Sequence, residues 1–594
     1  MRQVTTVARL EVRRRVLRAR TILPLGVAAL VAACSWATET TCADGVGCVG
    51  ENGGSAGKGG ASNAGTSGKA SGGKTSAQGG AEQGGSSDAG STSGGTHSGG
   101  SGEEGGNGGS GGAPDTCDTS LSPGENPCVA SNAHAVFVAP TTGLDSADGS
   151  QEAPLKTITK AIALVAADPT KVVVACSALY DEALALTADA VPSGVRIYGG
   201  FACPDSTTVT PWSYQPTEPS LLAPTTISPA LEIRGVSSAV VIEDFAITSP
   251  DAAAGGSSIA ALVVSSTDVT LRRTKLTSGK GGLGADGADG AKGADGDATG
   301  GAQKGVDAGC GVVVVSDSQP GGKWGAANAC GSLGGSGGPS NKEAIGVPGN
   351  PGKPTPTAGD NSGTRGAVPI DPGGVGGVGA LGVSGTVGAT ATVAIGTFGD
   401  AGFTPAAAGG NGSDGLPGQG GGGGGASSAD GLATCIGASG GAGGLGGCGG
   451  KAGIGGSSGG ASVALLSWKS TVTLDQCDIT SGDGGDGGKG GKGGLAGLGK
   501  AGAAGGAALL EAGTQSVTIG KGGDGGKGGD GGAGGPGAGG NGGPSYALVY
   551  NGKLPVDVGS SYINGKGGKA GPGGGTTGLP GTAGLTDAVL KVLQ

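Results

Sequence analysis

Three segments of the chain share one pattern and carry charged residues at its centre. Val240-Val-Ile-Glu-Asp-Phe-Ala-Ile-Thr-Ser249 aligns with Val269-Thr-Leu-Arg-Arg-Thr-Lys-Leu-Thr-Ser278 and with Val472-Thr-Leu-Asp-Gln-Cys-Asp-Ile-Thr-Ser481. Glu243 and Asp244, Arg272 and Arg273, and Asp475 fall at equivalent places, with Asp478 just beyond. Paired carboxylates are the groups of general acid–base hydrolysis. Stacked on neighbouring turns of a repeat, the same residues would form surface ion pairs worth about 0–1 kcal/mol each. The ion-pair reading is expected, because equivalent places hold Glu-Asp, Arg-Arg and Asp-Gln.

Other chemistry is sparse. Gly409-Gly-Asn-Gly-Ser-Asp414-Gly-Leu416 and Gly281-Gly-Leu-Gly-Ala-Asp286-Gly-Ala288 fit a calcium-binding nonapeptide, making Asp286 and Asp414 weak calcium candidates. Both copies stand alone, whereas such sites draw ligands from tandem repeats. His97 lies in a glycine/serine stretch and His134 opens an apolar run. No nucleophile-elbow, phosphate-loop or zinc-protease motif occurs. Catalytic residues, metal and cofactor are therefore all expected to be none. The sequence has 12 Cys. Neighbours suggest the pairs Cys42–Cys48, Cys117–Cys128, Cys176–Cys203, Cys310–Cys330 and Cys435–Cys448, with Cys477 left over as a buried core thiol.

The repeat sets what must position these groups. Alternation puts Val269 and Leu271 inward and Thr270 outward, as in a strand. Ile247, Leu276, Ile479 and Ile563 would each begin a second face. Weaker copies are Val517-Thr-Ile519 and Val556–Ile563, and apolar runs such as Ala261–Val264, Ala464–Leu466, Ala508–Leu510 and Ala547–Val549 precede the copies. Recurring short strands are the mark of a solenoid. Val312–Val315 and Ala391–Ile395 are further candidate strands.

Glycine accounts for 145 of 594 residues, aromatics for 3%. So few large side chains cannot fill several conventional cores. The glycines sort by place. Residues 49–113 read as a flexible tether. Most of the rest follow strand units at one corner: Leu276-Thr-Ser-Gly, Ile479-Thr-Ser-Gly, Ile519-Gly and Ile563-Asn-Gly each open a block. Gly-Gly-X triplets there fit a threefold extended helix, packed as a polyglycine-II-like sheaf, or else disordered loops.

Residues 1–33 read as an export leader, with seven Arg, one Glu and a short apolar stretch from Ile22 to Ala33. The string Leu30-Val-Ala-Ala-Cys34 resembles a bacterial lipobox, which implies lipidation at Cys34 and, with Ser35 following, an outer-membrane destination. The formal net charge of −10 excludes nucleic-acid binding as the expected role.

Residues 135–280 carry a wider resemblance. Ala135-Val-Phe-Val138, Pro154-Leu-Lys-Thr-Ile158, a helical spacing at Ile158, Ile162 and Val165, then Val172–Cys176, Tyr180-Asp-Glu182 and Gly194–Phe201 follow in order. The arrangement resembles the N-terminal part of pectin-lyase-like right-handed parallel β-helices, in which a short helix plugs the open end. The glycine blocks resemble PGRS-type repeats of bacterial surface proteins. The resemblance implies an all-β right-handed parallel β-helix (solenoid) with an N-terminal capping helix and long glycine-rich insertions. The expected divisions are a signal peptide at 1–33, a mature N-terminus at 34–48, the tether at 49–113, a capped β-helix at 114–281, a glycine-rich insertion at 282–460, and further rungs with insertions at 461–594. The expected function is a non-catalytic cell-envelope lipoprotein with a structural or adhesive surface role. Its partners would be the membrane, through the lipid, and a polysaccharide or cell-surface protein. The alternative is a carbohydrate-binding or polysaccharide-lyase-like β-helix.

Overall fold

The computed structural model describes residues 117–297, 303–311, 317–342, 345–354, 360–367, 371–391, 396–429, 434–511 and 517–593. The leader, Cys34, Cys42, Cys48, the tether, His97, the run 312–315 and most of the run 391–395 lie outside these residues.

The described chain is mostly β, and its main sheets are parallel. The first sheet has seven strands: Ala135–Val138, Val172–Cys176, Val195–Phe201, Val240–Glu243, Val269–Arg272, Val472–Asp475 and Val556–Val558. The second runs from Leu179–Tyr180 through Ser220–Leu222, Phe245–Thr248, Lys275–Thr277 and Asp478–Thr480 to Ser561–Ile563. The third contains Leu184–Thr187, Leu231–Arg234, Ser258–Val264, Ser462–Trp468, Ser545–Asn551 and Thr586–Lys591. From Val172 onward the chain visits first, second and third sheets in turn, so each circuit adds one strand to each. The pairing follows the sequence repeat: Val269 lies opposite Val240 on one side and Val472 on the other. Leu276 likewise stands between Ile247 and Ile479. Val240, Ile242, Leu271, Leu474, Leu276 and Ile479 are buried in one continuous core.

The helix α1(Ile158–Ala167) packs Ile158, Ala161, Ile162 and Val165 into that core beside Val136, Val138 and Val173. Thr157 caps it by accepting from Lys160 N. The Glu182 carboxylate accepts from the amides of Ile158 and Thr159 at 2.7 and 3.0 Å, placing negative charge on the positive end of the helix.

Two expectations about the repeat are corrected. Val517–Ile519 pairs antiparallel with Leu509–Glu511, forming a local hairpin and adding no strand to the three sheets. In the last circuit Tyr562, and not Ile563, lies opposite Ile479. The copy is one residue shorter, so its alternation shifts: Tyr562 packs on the core and Ile563 is exposed.

The glycine blocks leave between second and third sheets in three successive circuits: after Thr277, after Thr480 and after Ile563. They are hydrogen-bonded to one another at every third residue. Gly281, Gly284, Gly287, Gly290, Gly293 and Gly296 donate to the carbonyls of Asp483, Asp486, Lys489, Lys492, Leu495 and Leu498. A second set faces another way, Gly485, Gly488 and Gly491 donating to Gly460, Ser457 and Ile454. A Cβ on Gly488 would stand 2.0 Å from the carbonyl oxygen of Ala285, and one on Gly540 would stand 1.9 Å from that of Ser457. Only glycine permits this approach, which explains why the triplet fixes two positions and frees the third.

The free third position carries a second bond. Asp286 and Asp289 accept from the amides of Lys489 and Lys492 at 2.7 Å each. Asp483 and Asp486 accept from those of Lys566 and Lys569 at 2.8 and 2.7 Å. Asp414 accepts from Ala452 N and pairs with Lys451 at 2.8 Å. The two weak calcium candidates, Asp286 and Asp414, thus staple neighbouring glycine segments. Among the described residues no group of three or more His, Cys, Asp or Glu is arranged to hold a metal.

Cys117 pairs with Cys128 and Cys176 with Cys203. The remaining pairs cross: Cys310 bonds Cys435 and Cys330 bonds Cys448, over separations of 125 and 118 residues. Sequence neighbours are not spatial neighbours here, because the block folds back and brings distant segments side by side. Disulfides persist in oxidising compartments, and the four among the described residues point to an extracellular or exported chain. No described helix is long and apolar enough to cross a membrane.

Candidate functional site

The charged repeat positions converge at the corner between first and second sheets. The chain turns there through residues in the left-handed conformation: Asp244 at φ 58°, Arg273 at 45° and Gln476 at 55°. Such a φ costs a non-glycine residue about 1–2 kcal/mol. The corner is held by the ladder continuing through it, Asp244 N donating to Arg272 O and Arg273 N to Asp475 O.

Arg272 lies in register between Glu243 and Asp475. Its Nε donates to Asp475 Oδ2 at 2.9 Å and its Nη1 to Glu243 Oε2 at 3.3 Å. Arg273 grips Asp244 with Nε at 2.8 Å and Nη2 at 3.1 Å, and Nη2 also bonds Glu243. Tyr214 completes the group: its hydroxyl donates to Asp244 Oδ2 at 2.6 Å and accepts from Arg273 Nη2 at 2.9 Å.

These are not surface ion pairs. The side chains of Glu243 and Asp244 are 0% exposed, while those of Arg272 and Arg273 are about a third exposed. Burial raises the Glu243 carboxyl above the usual range, against the opposing pull of Arg273 and Arg272. Tyr198, opposite Glu243 on the neighbouring strand, is pushed up to about 12, mainly by burial and then by that carboxylate. Arg273 is held protonated still more firmly by its bonds to Asp244.

A cleft of about 490 Å³ opens beside the cluster, lined by Tyr214, Arg272, Arg273, Asp475, Glu125 and Gln476 among others. It can present guanidinium edges and carboxylate oxygens to a polar ligand. Both arginines are committed to carboxylates. Asp478 stands apart, accepting from Ser561 Oγ at 2.7 Å. His134 passes its backbone carbonyl to Val172 N, beside the first strand.

Glu125 carries no sequence signal and Tyr214 none for its contact with the carboxylates, because both lie in irregular chain outside the repeat. Tyr214 is placed by a bridge to Phe201, and the Cys176–Cys203 disulfide ties its loop to the first sheet. The other aromatics near the charged repeat serve packing: Trp212 stands edge-on to Phe137 at 4.8 Å, and Trp468 is buried with Leu466 and Tyr546. Cys477 is a buried free thiol whose Sγ lies 3.3 Å from Thr274 Oγ1.

A family model described as "Protein of unknown function (DUF1565)" matches residues 141–301, the stretch containing α1 and the strands from Val172 to Thr277. No curated protein and no solved structure matches the chain.

Proposed function

We propose that the chain is a non-catalytic lipoprotein of the cell envelope, a right-handed parallel β-helix plugged by α1 and displaying PGRS-like, polyglycine-II-like arrays as a structural or adhesive surface. Lipidation at Cys34 would tether it to the outer membrane, with residues 49–113 as the spacer. The observation that carries this reading is the glycine array. Its segments are cross-bonded at every third residue and stapled by Asp, and all of them grow from one corner of the strand scaffold. Such an architecture devotes a large part of the chain to a surface array. Replacing Cys34→Ala in the native host should move the protein from the membrane fraction to the soluble fraction; unchanged retention would refute the anchor.

A second reading draws on the cleft at Arg272 and Arg273, which has room for a sugar. A polysaccharide-lyase-like enzyme would need one arginine to act as base, and here both are bonded to carboxylates. A screen of polyuronates over a range of calcium concentrations separates the two readings. Turnover abolished by Arg272→Ala or Arg273→Ala would establish the enzyme.

A further inference from the structure

We propose that the pocket beside Trp324, on the glycine array, binds an anionic sugar ring. The pocket measures about 370 Å³, with Lys323, Trp324, Ser336, Asn350, Pro351 and Lys353 in its wall. That is within the roughly 300–1,000 Å³ range of small-ligand sites. It shares no lining residue with the arginine cleft.

Trp324 is half-buried and fixed. Its Nε1 donates to Gly443 O. The indole lies against Gly334, where a Cβ would come within 2.9 Å of Nε1, so the glycine backbone forms its bed. Phe398 contacts Phe403 in the same block and Tyr546 on the third sheet, and among the described residues no ring-to-ring contact involves Trp324.

The two lysines differ from most others in the array. Lys292, Lys304, Lys451 and Lys527 each pair with an Asp. Lys323 and Lys353 are exposed, and among the described residues neither ammonium has an ion-pair partner. Two uncompensated cations thus flank one aromatic ring in a protein of formal net charge −10. Asn350 Nδ2 donates to Ser336 Oγ at 2.6 Å, which leaves the Asn350 carbonyl as acceptor and the Ser336 hydroxyl as donor.

These groups match a charged pyranose. The face of an indole is negative and attracts the weakly positive C–H groups of a sugar ring. The amide and hydroxyl serve the ring hydroxyls. The ammonium groups meet a carboxylate or a sulfate through charge-assisted bonds. A nucleotide could also stack on indole, but the chain's acidity opposes polyanions. The inference rests on the adhesive reading only for its purpose; the binding itself is independent of it.

The test uses the full chain with its disulfides intact. A uronic-acid disaccharide and a sulfated disaccharide are titrated calorimetrically, with a neutral disaccharide and adenosine monophosphate as comparisons. At least one anionic sugar should bind with a Kd between roughly 10 μM and 1 mM, and the neutral one at least about tenfold more weakly. Trp324→Ala should weaken binding at least about tenfold, by loss of the stacking face. The double change Lys323→Gln, Lys353→Gln should bring the anionic sugar to the level of the neutral one, and salt should weaken wild-type binding. The proposal is overturned if neither anionic sugar binds below about 10 mM, if the neutral sugar or the nucleotide binds as well, or if the lysine variant keeps full affinity. If the sugar binds but cells lacking the protein adhere normally, the adhesive reading fails and the pocket stands.

Discussion

Arg272 Nε donates to Asp475 Oδ2 at 2.9 Å although 203 positions separate the two residues in sequence. Their strands are immediate neighbours, and the first glycine block lies almost entirely between them. The block therefore leaves the register of the sheet undisturbed. The bond is also one edge of a cluster in which two buried carboxylates depend on two arginines.

Removing one of those arginines strands a charge. Arg273→Ala leaves the buried Asp244 without a cation and with the Tyr214 hydroxyl as its side-chain partner, and leaves Glu243 with Arg272 alone, and should cost about 3 kcal/mol of unfolding free energy. Arg272→Ala, which loses one partly exposed partner and one long bond, should cost less, about 1 kcal/mol. Urea unfolding of the two variants checks the order. Equal, negligible losses would mean that the cluster is decorative.

The glycine array should be sensitive to acid. Asp295, Asp307 and Asp530 are held below the usual carboxylate range chiefly by backbone amides, and Asp414 chiefly by Lys451. A depressed folded-state value means that the unfolded chain takes up protons first. Stability from these groups is present above about pH 4 and is lost as pH falls below it through the folded-state values. Hydrogen exchange within 482–545, corrected for the intrinsic rate of free amides, should lose protection between about pH 4 and pH 2. Asn at these four positions should flatten that dependence.

Close packing of backbone gives a sharper test. Gly488→Ala places a methyl 2.0 Å from Ala285 O, on an atom that cannot move aside alone. It should destabilise by more than about 2 kcal/mol and open the segment to exchange. Lys489→Ala, one residue away at the free position, should change stability by less than about 0.5 kcal/mol. Similar effects for both would argue against a packed array.

Lys469 sits at φ 51° at the turn from third to first sheet, where the next circuit has Gly552 at 95°. Lys469→Gly should relieve strain of about 1–2 kcal/mol against a glycine entropy cost of about 0.5–1 kcal/mol. A net gain of roughly 0.5 kcal/mol is expected from thermal or chemical unfolding.

Burial raises the Cys477 thiol, and its bonds to Thr274 only partly oppose that shift. A thiol reagent at neutral pH should leave the folded protein unmodified and label it once unfolded. Rapid labelling of the native state would contradict the burial.

Legibility in the sequence followed the repeat. Val240, Val269 and Val472 align in the sequence repeat and pair in that register in the sheet, and the Thr-Ser-Gly corner marks where the first two blocks depart. A strand repeat writes both facts into consecutive residues. The misreadings lie mostly outside the strand repeat. What stands beside the charged corner includes Tyr214 and the segment near Glu125, which belong to no repeat. The partners of Cys310 and Cys330 depend on how the block folds back. The calcium spelling at Asp286 and Asp414, weak in the sequence because each copy stands alone, is also that of a glycine triplet stapled by its Asp. Val517–Ile519 failed because its three residues have the same alternation in a hairpin as in a parallel sheet.

The crossed disulfides have a mechanical consequence. Cys310–Cys435 and Cys330–Cys448 close overlapping loops inside a block inserted between the second-sheet and third-sheet strands of one circuit of the scaffold. Tension along the chain would pass through the scaffold strands and bypass the block. Were the scaffold to open between Thr277 and Ser462, only the stretches outside the bridged loops would extend, and the contour between the bridges would stay hidden until a reductant released it. Pulled from its two ends, the protein would lengthen in short steps under oxidising conditions and in one long step without its disulfides.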